Sequence, residues 1–275
     1  MSVSKKLVVV IMALVLAMSM ALFGCTGGGK GGTTTGGATS DEIKLVKEGT
    51  LTVGSDCDYP PFILLEGDKP VGFEYDLMEA IAADMGLTLE YLPPQNFDTL
   101  LTSVAGGVKM DIAVSSLTIT PERAQTVDFC TPYFDSNQAC VVKGDSSYAS
   151  AKDLEGKVVG AQAGTTGEAW ANEHLAGITM KPFNQTSEGL LALQAGEIEA
   201  LFFDAPIAEY HIATNYPTMR IAEVIPTGEQ YGFAVNKDNP ALLAQINTSL
   251  NNLVADGTYE KIFKKYFPNL EPSLR

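Results

Sequence analysis

Short apolar runs alternate with longer stretches of helical periodicity through most of the chain. The apolar runs at 51–53, 87–91, 111–115, 157–161 and 198–203 predict strands. Helical periodicity predicts helices over 75–85, from Thr166, over 187–195, from Pro240 and over 259–267. In the helix from Pro240, the predicted apolar face carries Leu243, Ile246, Leu250 and Val254. Strands that alternate with helices form parallel sheets with crossover helices, so we predict an α/β protein.

The alternation of strand and helix runs through the chain twice and restarts near residue 157. Two β-rich stretches, 138–143 and 230–235, are plausible crossings between the two units. We therefore predict a first lobe built from 41–141 and 233–275 and a second lobe built from 142–232. Two crossings predict a hinge.

The first residues of the chain predict export. Lys5 and Lys6 precede an apolar run that ends in Leu-Phe-Gly-Cys at 22–25. A transmembrane anchor is the alternative, but the run is short for a bilayer span, and a small residue before a cysteine resembles a bacterial lipobox. We predict a signal peptide over 1–24, a lipidated (palmitate-carrying) Cys25 and a flexible tether to residue 40. This places the protein at the extracytoplasmic face of the cell membrane, on the periplasmic side if there is an outer membrane.

Composition narrows the class of partner. The 275 residues are 45% apolar, enough for two modest cores, and the net charge is −15. Nucleic acid binding requires clustered Lys and Arg, and the sequence contains no such cluster, so a nucleic acid partner is excluded. The same charge favours cationic solutes.

Polar side chains follow the predicted strands, where ligands bind in open parallel sheets. After the strand that ends near Ser115, Ser116 and Thr118 can donate to a carboxylate, and Arg123 offers a planar fork that binds one with two hydrogen bonds. The alternative is a turn capped by Thr120 with a solvated arginine. The motif alone favours the turn.

A second group of polar residues lies in the other unit. The backbone amides from Gly164 to Thr166 stand at a helix start and can face an anion. Asp204 follows an apolar strand, where it either pairs with an ammonium group or caps the next helix. Tyr59 and Phe97, in loops of the first unit, can present their rings to a ligand, although aromatic residues more often lie in a core.

Five motifs follow one another along the chain. They are GSDCDYPPF (54–62), VGFEYDL (71–77), DIAVSSLTITPER (111–123), GAQAGTT (160–166) and ADGTYEKIFKKYF (255–267). With these motifs in this order, the chain from 41 to 269 resembles the amino-acid-binding solute-binding proteins of ABC importers (bacterial extracellular solute-binding protein family 3), which are related in fold to the ligand-binding domains of glutamate receptors. The resemblance implies a two-lobed periplasmic-binding-protein-like fold (type II), in which each lobe is a parallel-type sheet with helices on both faces and two crossings form the hinge.

The resemblance also implies roles. Arg123, Ser116 and Thr118 would bind the α-carboxylate of an amino acid with help from the amide of Thr166, while Asp204 would bind its α-ammonium group. Closure of the lobes on this ligand would then be recognised by an ABC permease. The full predicted ligand-binding set is Asp56, Tyr59, Phe97, Ser115, Ser116, Thr118, Arg123, Gln162, Gly164, Thr165, Thr166 and Asp204.

The ligand is predicted to be a polar or basic amino acid. Tyr59 and Phe97 would pack on its side chain, and Asp56 or Asp58 would meet the far end, where a carboxylate needs a donor or a cation. The alternative is that Asp56 bonds to its own turn and Asp58 faces water, so that neither selects a ligand. We predict no cofactor, no metal and a monomer.

Two other classes of function remain open at this point. A dehydratase-like enzyme on the same fold is one, but the sequence contains neither GxSxG nor HExxH, and His174 and His211 lie in helical patterns without a partner in view. The other is a sensory module, which would act through a separate partner because the chain ends at Arg275. We predict that the protein is not an enzyme.

Three cysteines follow Cys25, an odd number for an exported protein. Cys130 and Cys140 flank a turn and are slightly preferred as a disulfide pair, which would leave Cys57 free. The spacing alone does not decide the pairing.

Overall fold

The structure is a computed structural model that describes residues 42–274. The predicted signal peptide, Cys25 and the tether lie outside these residues. Between residues 42 and 274, no helix has both the length and the apolar character needed to cross a membrane.

The described residues form eight helices and thirteen strands, together with a 3-10 turn at Ala151–Leu154. In chain order they are β1 (Thr50–Gly54), β2 (Asp58–Tyr59), β3 (Ile63–Glu66), β4 (Lys69–Val71), α1 (Phe73–Asp84), β5 (Thr88–Tyr91), α2 (Phe97–Ala105), β6 (Ile112–Ala113), α3 (Arg123–Thr126), β7 (Asp128–Phe129), β8 (Phe134–Lys143), β9 (Val158–Gln162), α4 (Thr166–His174), β10 (Thr179–Phe183), α5 (Thr186–Ala195), β11 (Ala200–Asp204), α6 (Ala205–Thr214), β12 (Met219–Tyr231), β13 (Ala234–Val235), α7 (Pro240–Ala255) and α8 (Thr258–Tyr266).

The strands form two five-stranded sheets, one in each lobe, and a small sheet of β2, β3 and β4. The first sheet has the order β5-β1-β6-β13-β7, with β1 parallel to both neighbours and β13 antiparallel to both of its own. The second sheet has the order β10-β9-β11-β8-β12, and its first three strands are parallel. The predicted two-lobed α/β fold is confirmed, although both sheets are mixed because the crossing strands join them antiparallel.

Each sheet buries both of its faces. In β6, Ile112 and its neighbour Ala113 belong to different hydrophobic clusters, as consecutive strand residues do when they point to opposite faces. In β11, Phe202 and Phe203 divide in the same way. Helices therefore cover both faces, which leaves the ends of the strands as the place where polar side chains gather.

The chain changes sheet twice. It leaves β7 in the first sheet and enters β8 in the second, and it returns from β12 to β13. Strands β8 and β12 pair antiparallel as far as Phe134 and Tyr231, whose rings stack with their centres 5.7 Å apart. The predicted lobe boundary at 141/142 lies inside β8, which belongs wholly to the second sheet because it also pairs with β11.

Helix α7 turns a slightly different face to the core than the sequence pattern predicted. Leu242 and Leu253 are buried, while Leu243 and Val254 are only partly buried. The apolar residues of this helix cover a wider stripe than the face that contacts the core. The sequence pattern therefore did not decide between neighbouring residues at the two ends of the helix, 242 or 243 and 253 or 254.

The cysteines in the described part of the chain are all free and buried. Cys130 belongs to the large hydrophobic cluster, which includes residues of both lobes, whereas Cys140 on β8 belongs to a smaller cluster of the second lobe. The preferred disulfide between them is therefore wrong. Burial raises the pKa of both thiols to about 12, so they behave as small apolar residues.

Candidate ligand-binding site

A small cavity lies between the two lobes, at the ends of the central strands. Most of the predicted site residues line it, and Gln138, Gly167 and Phe203 join them without having been predicted. The lining residues are Tyr59, Phe97, Ser115, Ser116, Thr118, Arg123, Gln138, Gln162, Thr165, Thr166, Gly167, Phe203 and Asp204.

Arg123 reaches from the first lobe to the second. Its Nη1 donates to the carbonyl oxygen of Thr118 at 2.8 Å, and its Nη2 donates to the carbonyl oxygen of Gly164 in the other lobe at 2.9 Å. Its Cζ lies 5.6 Å from the ring centre of Phe97, a cation–π distance. Thr120 does cap this turn, because its Oγ1 accepts the amide of Arg123 at 3.1 Å, but Arg123 lines the cavity as well.

The loop before Arg123 is held by a buried glutamate. The backbone amide of Ser116 donates to Oε1 of Glu74 at 2.7 Å, and the hydroxyl of Tyr133 donates to the same oxygen. Ser116 has a φ of 47°, a conformation that is uncommon outside glycine and needs support from its surroundings. Burial raises the pKa of Glu74 to about 7. Glu74 lies in the VGFEYDL motif, yet nothing in the sequence assigned it this role.

The start of α4 is less open to an anion than predicted. The amide of Gly164 donates to Glu168 at 2.8 Å, and that of Thr165 donates to the carbonyl of Gln162 at 3.4 Å. Both amides therefore bond to groups near them in the chain, and anion binding by the amides of Gly164, Thr165 and Thr166 stays a prediction. Gly164 has a φ of 77°, and a Cβ there would lie 3.1 Å from Cα of Asp98 in the opposite lobe.

Asp204 stands at the end of β11 and faces the cavity. Although it occupies the N-cap position of α6, its side chain makes no capping bond. Its carboxylate accepts from Tyr231 at 2.6 Å and from Gln138. Burial, followed by the charge of Glu229, raises the pKa of Asp204 to about 7. This carboxylate is therefore costly to ionise until a cation meets it.

Asp56 and Asp58 connect the lobes. The carboxylate of Asp56 accepts from Ser115 at 2.5 Å and from Gln162 of the other lobe at 3.0 Å. Asp58 accepts the amide of Ser187 at the start of α5 at 2.9 Å. Neither aspartate is among the lining residues, although Asp56 is bonded to two of them.

The remaining unpredicted residues come from the crossing strand and a helix start. Glu229 on β12 accepts from Thr118, Thr166 and Gln138. Gly167 permits close packing, because a Cβ there would lie 2.8 Å from Oε1 of Gln138. The resemblance to the family pointed to neither Glu229 nor Gly167. A single acidic residue on a strand does not change the hydrophobic periodicity of the sequence, so the pattern could not reveal Glu229.

Two lobes joined by two crossings, with an arginine and an aspartate facing one cavity from opposite sides, define a solute-binding protein that closes on its ligand. Residues 51–269 match the family model of bacterial extracellular solute-binding proteins, family 3, and the chain belongs to this family. The ABC transporter arginine-binding protein 1 of Escherichia coli (strain K12) is 32% identical over 224 residues, 79% of this chain and 90% of the relative.

Solved structures agree with this assignment. An ancestral arginine-binding protein, solved bound to arginine and bound to glutamine, is 39% identical with a TM-score of 0.76; the match covers 80% of this chain and 98% or 99% of that chain. An ancestral amino-acid-binding protein described as a precursor of cyclohexadienyl dehydratase is 35% identical with a TM-score of 0.73, over 80% of this chain and 96% of that chain. This family of binding proteins acts outside the cytoplasm, and the chain is a binding protein rather than an enzyme.

Proposed function

We propose that this protein captures a free basic or polar amino acid outside the cytoplasm, with arginine, lysine and glutamine preferred, and delivers it to an ABC permease. The observation that carries the proposal is the placement of Arg123 on the first lobe and Asp204 on the second, facing one cavity. A zwitterion satisfies both charges at once. Because the two partners belong to different lobes, the ligand stabilises closure by its differential contacts.

The α-carboxylate would bind beside Arg123, where the hydroxyls of Ser116 and Thr118 also line the cavity. A guanidinium and a carboxylate form short, charge-assisted bonds that are stronger than bonds between neutral groups. The α-ammonium group would bind Asp204, and its positive charge would compensate the cost of ionising that buried carboxylate.

The choice of side chain rests on an excess of acid around the cavity. Within residues 42–274, Arg123 is the only cationic residue of the lining. Asp204 lines the cavity, and Asp56 is bonded to two lining residues, Ser115 and Gln162. Once the ligand's own two charges are matched, negative charge remains, and a cationic or donor-rich side chain compensates it. Tyr59 and Phe97 line the same cavity and would pack on the aliphatic stem.

The relatives support this ligand class. The ancestral structures hold arginine and glutamine, both of which end in nitrogen donors. The E. coli relative is named as arginine-binding.

The protein would be held at the membrane by its N-terminus and act there as a monomer. Lys5, Lys6, the apolar run and the Leu-Phe-Gly-Cys sequence support cleavage before Cys25 and acylation of its thiol. Labelled palmitate should enter the parent protein but not Cys25→Ser, which should shift from the membrane fraction to the soluble fraction. Equal labelling of the two would contradict the anchor.

A calorimetric screen of amino acids tests the binding proposal. Arg123→Ala should lose at least about 2 kcal/mol of binding free energy, which is more than about tenfold in affinity. Arg220→Ala is the matched control, because Arg220 donates to the carbonyl oxygens of Ser146 and Tyr148, away from the cavity. Equal affinities for the two variants would refute the role of Arg123.

A further inference from the structure

Glu229 lies on the crossing strand β12 and bonds to both lobes. Its Oε2 accepts the hydroxyl of Thr118, in the first lobe, at 2.8 Å, and the hydroxyl of Thr166, in the second lobe, at 3.0 Å. A shift of strand register separates Ile225 from Glu229, so the strand is irregular just before the glutamate that bonds to these two residues of the cavity lining.

The hydroxyl of Thr118 belongs to the proposed subsite for the ligand's α-carboxylate, and Thr166 lines the same cavity, so the inference rests on the proposed function. A threonine hydroxyl carries one proton and donates one hydrogen bond. Thr118 and Thr166 can therefore donate either to Glu229 or to an incoming carboxylate, but not fully to both. Glu229 offers these two hydroxyls a carboxylate, which is the same chemical group that the ligand's α-carboxylate would offer them.

We propose that Glu229 is an affinity-determining residue that competes with the ligand's α-carboxylate for Thr118 and Thr166. The bonds that hold Glu229 allow it to be displaced. Its partners are two hydroxyls and the side-chain amide of Gln138, at 3.1 and 3.2 Å. Within the described chain, none of the groups that donate a hydrogen bond to Glu229 is charged. The ligand's α-carboxylate would bond to the same hydroxyls and also to the charged guanidinium of Arg123, which forms the stronger bond.

A different role for Glu229 predicts the opposite effect. Glu229 lies near Asp204 and raises the pKa of that carboxyl through its charge. If it served as a second acid for the α-ammonium group, its removal would weaken binding. If it competes with the carboxylate, its removal strengthens binding. Because removing Glu229 also lowers the pKa of Asp204, the affinities are compared at pH 8, where Asp204 is largely ionised in both proteins. At that pH the sign of the change in affinity separates the two roles.

Glu229→Ala measured by calorimetry with L-arginine, L-lysine and L-glutamine provides the test. We expect about a fivefold gain in affinity for the preferred ligand, which corresponds to about 1 kcal/mol. Glu122→Ala is the matched control, since exposed Glu122 also acts on Arg123 through its charge but does not bond to either threonine. Glu229→Gln, which keeps the size and loses the charge, should show a smaller gain and covers the case in which the alanine variant folds poorly.

Salt separates contact from charge at a distance. At high ionic strength the effect of Glu122→Ala should vanish, while the gain in Glu229→Ala should persist because it arises from direct contacts. Unchanged or weaker binding by Glu229→Ala, in a parent protein that binds these amino acids, would overturn the inference alone. Failure of the parent to bind any of them would instead overturn the proposed function.

Discussion

Binding of the amino acid should depend on pH through Asp204. Burial and the charge of Glu229 raise the pKa of this carboxyl to about 7. The α-ammonium group of the ligand favours the ionised form and lowers that pKa. Below pH 7, part of the protein must therefore lose a proton before it binds, and the apparent affinity falls.

The size of the effect follows from the pKa. Each pH unit below the pKa of Asp204 costs about tenfold in apparent affinity, or 1.36 kcal/mol. At pH 5, about two units below, arginine should bind roughly 100-fold more weakly than at pH 8, provided that the bound pKa stays below 5. Asp204→Asn should bind more weakly at pH 8 and should lose this slope.

Calorimetry at half-unit steps from pH 5 to 8 measures both proteins. Glu74 also has a pKa of about 7 and bonds to Ser116 in the same site, so Glu74→Gln is measured in parallel to separate its contribution. A flat profile in the parent, or a slope that survives in Asp204→Asn, would refute the assignment of Asp204 to the ammonium group.

Two further predictions follow from single positions. In calorimetry, Gly164→Ala should weaken binding far more than Gly156→Ala. Both glycines have a positive φ, but only at Gly164 would a Cβ approach the opposite lobe. Equal losses of affinity in the two variants would point to backbone strain alone. Burial lowers the pKa of His211 to about 4 in the folded protein. Between pH 6.5 and 4 the unfolded chain therefore binds more protons than the folded protein, and the free energy of unfolding should fall by about 3 kcal/mol as the pH falls across that range. Chemical denaturation should show this loss in the parent and not in His211→Phe, and parallel pH profiles would exclude the histidine as its cause.

The sequence located the parts of the site that follow strands. Arg123 and Asp204 come after predicted strands of different lobes, and the rule that ligands bind at strand ends places both beside one cavity. The same rule reached the start of α4, where the amides of Gly164 and Thr165 bond to nearby groups that the sequence did not indicate. Local pattern gives the position of such residues but not the donor or acceptor that each one finds.

The parts that could not be predicted depend on contacts between distant segments. Glu229 reaches the hydroxyls of Thr118 and Thr166 through an irregularity of β12, and Gln138 reaches the cavity through the pairing of β8. Neither feature has a periodic signature. Cys130 and Cys140 are ten positions apart, yet they pack in different clusters because the chain changes sheet between them. The predicted lobe boundary at 141/142 falls inside β8 for the same reason.

The central claim is an acidic cavity that binds a zwitterion with a basic or polar side chain. A competition assay tests it directly: a bound probe amino acid is displaced by arginine, lysine, glutamine, leucine or glutamate at pH 8. Arginine, lysine and glutamine should displace the probe at lower concentrations than leucine, which leaves the carboxylate of Asp56 uncompensated, and glutamate, which that carboxylate repels. Displacement by leucine or glutamate at a lower concentration than by all three of the others would contradict the claim.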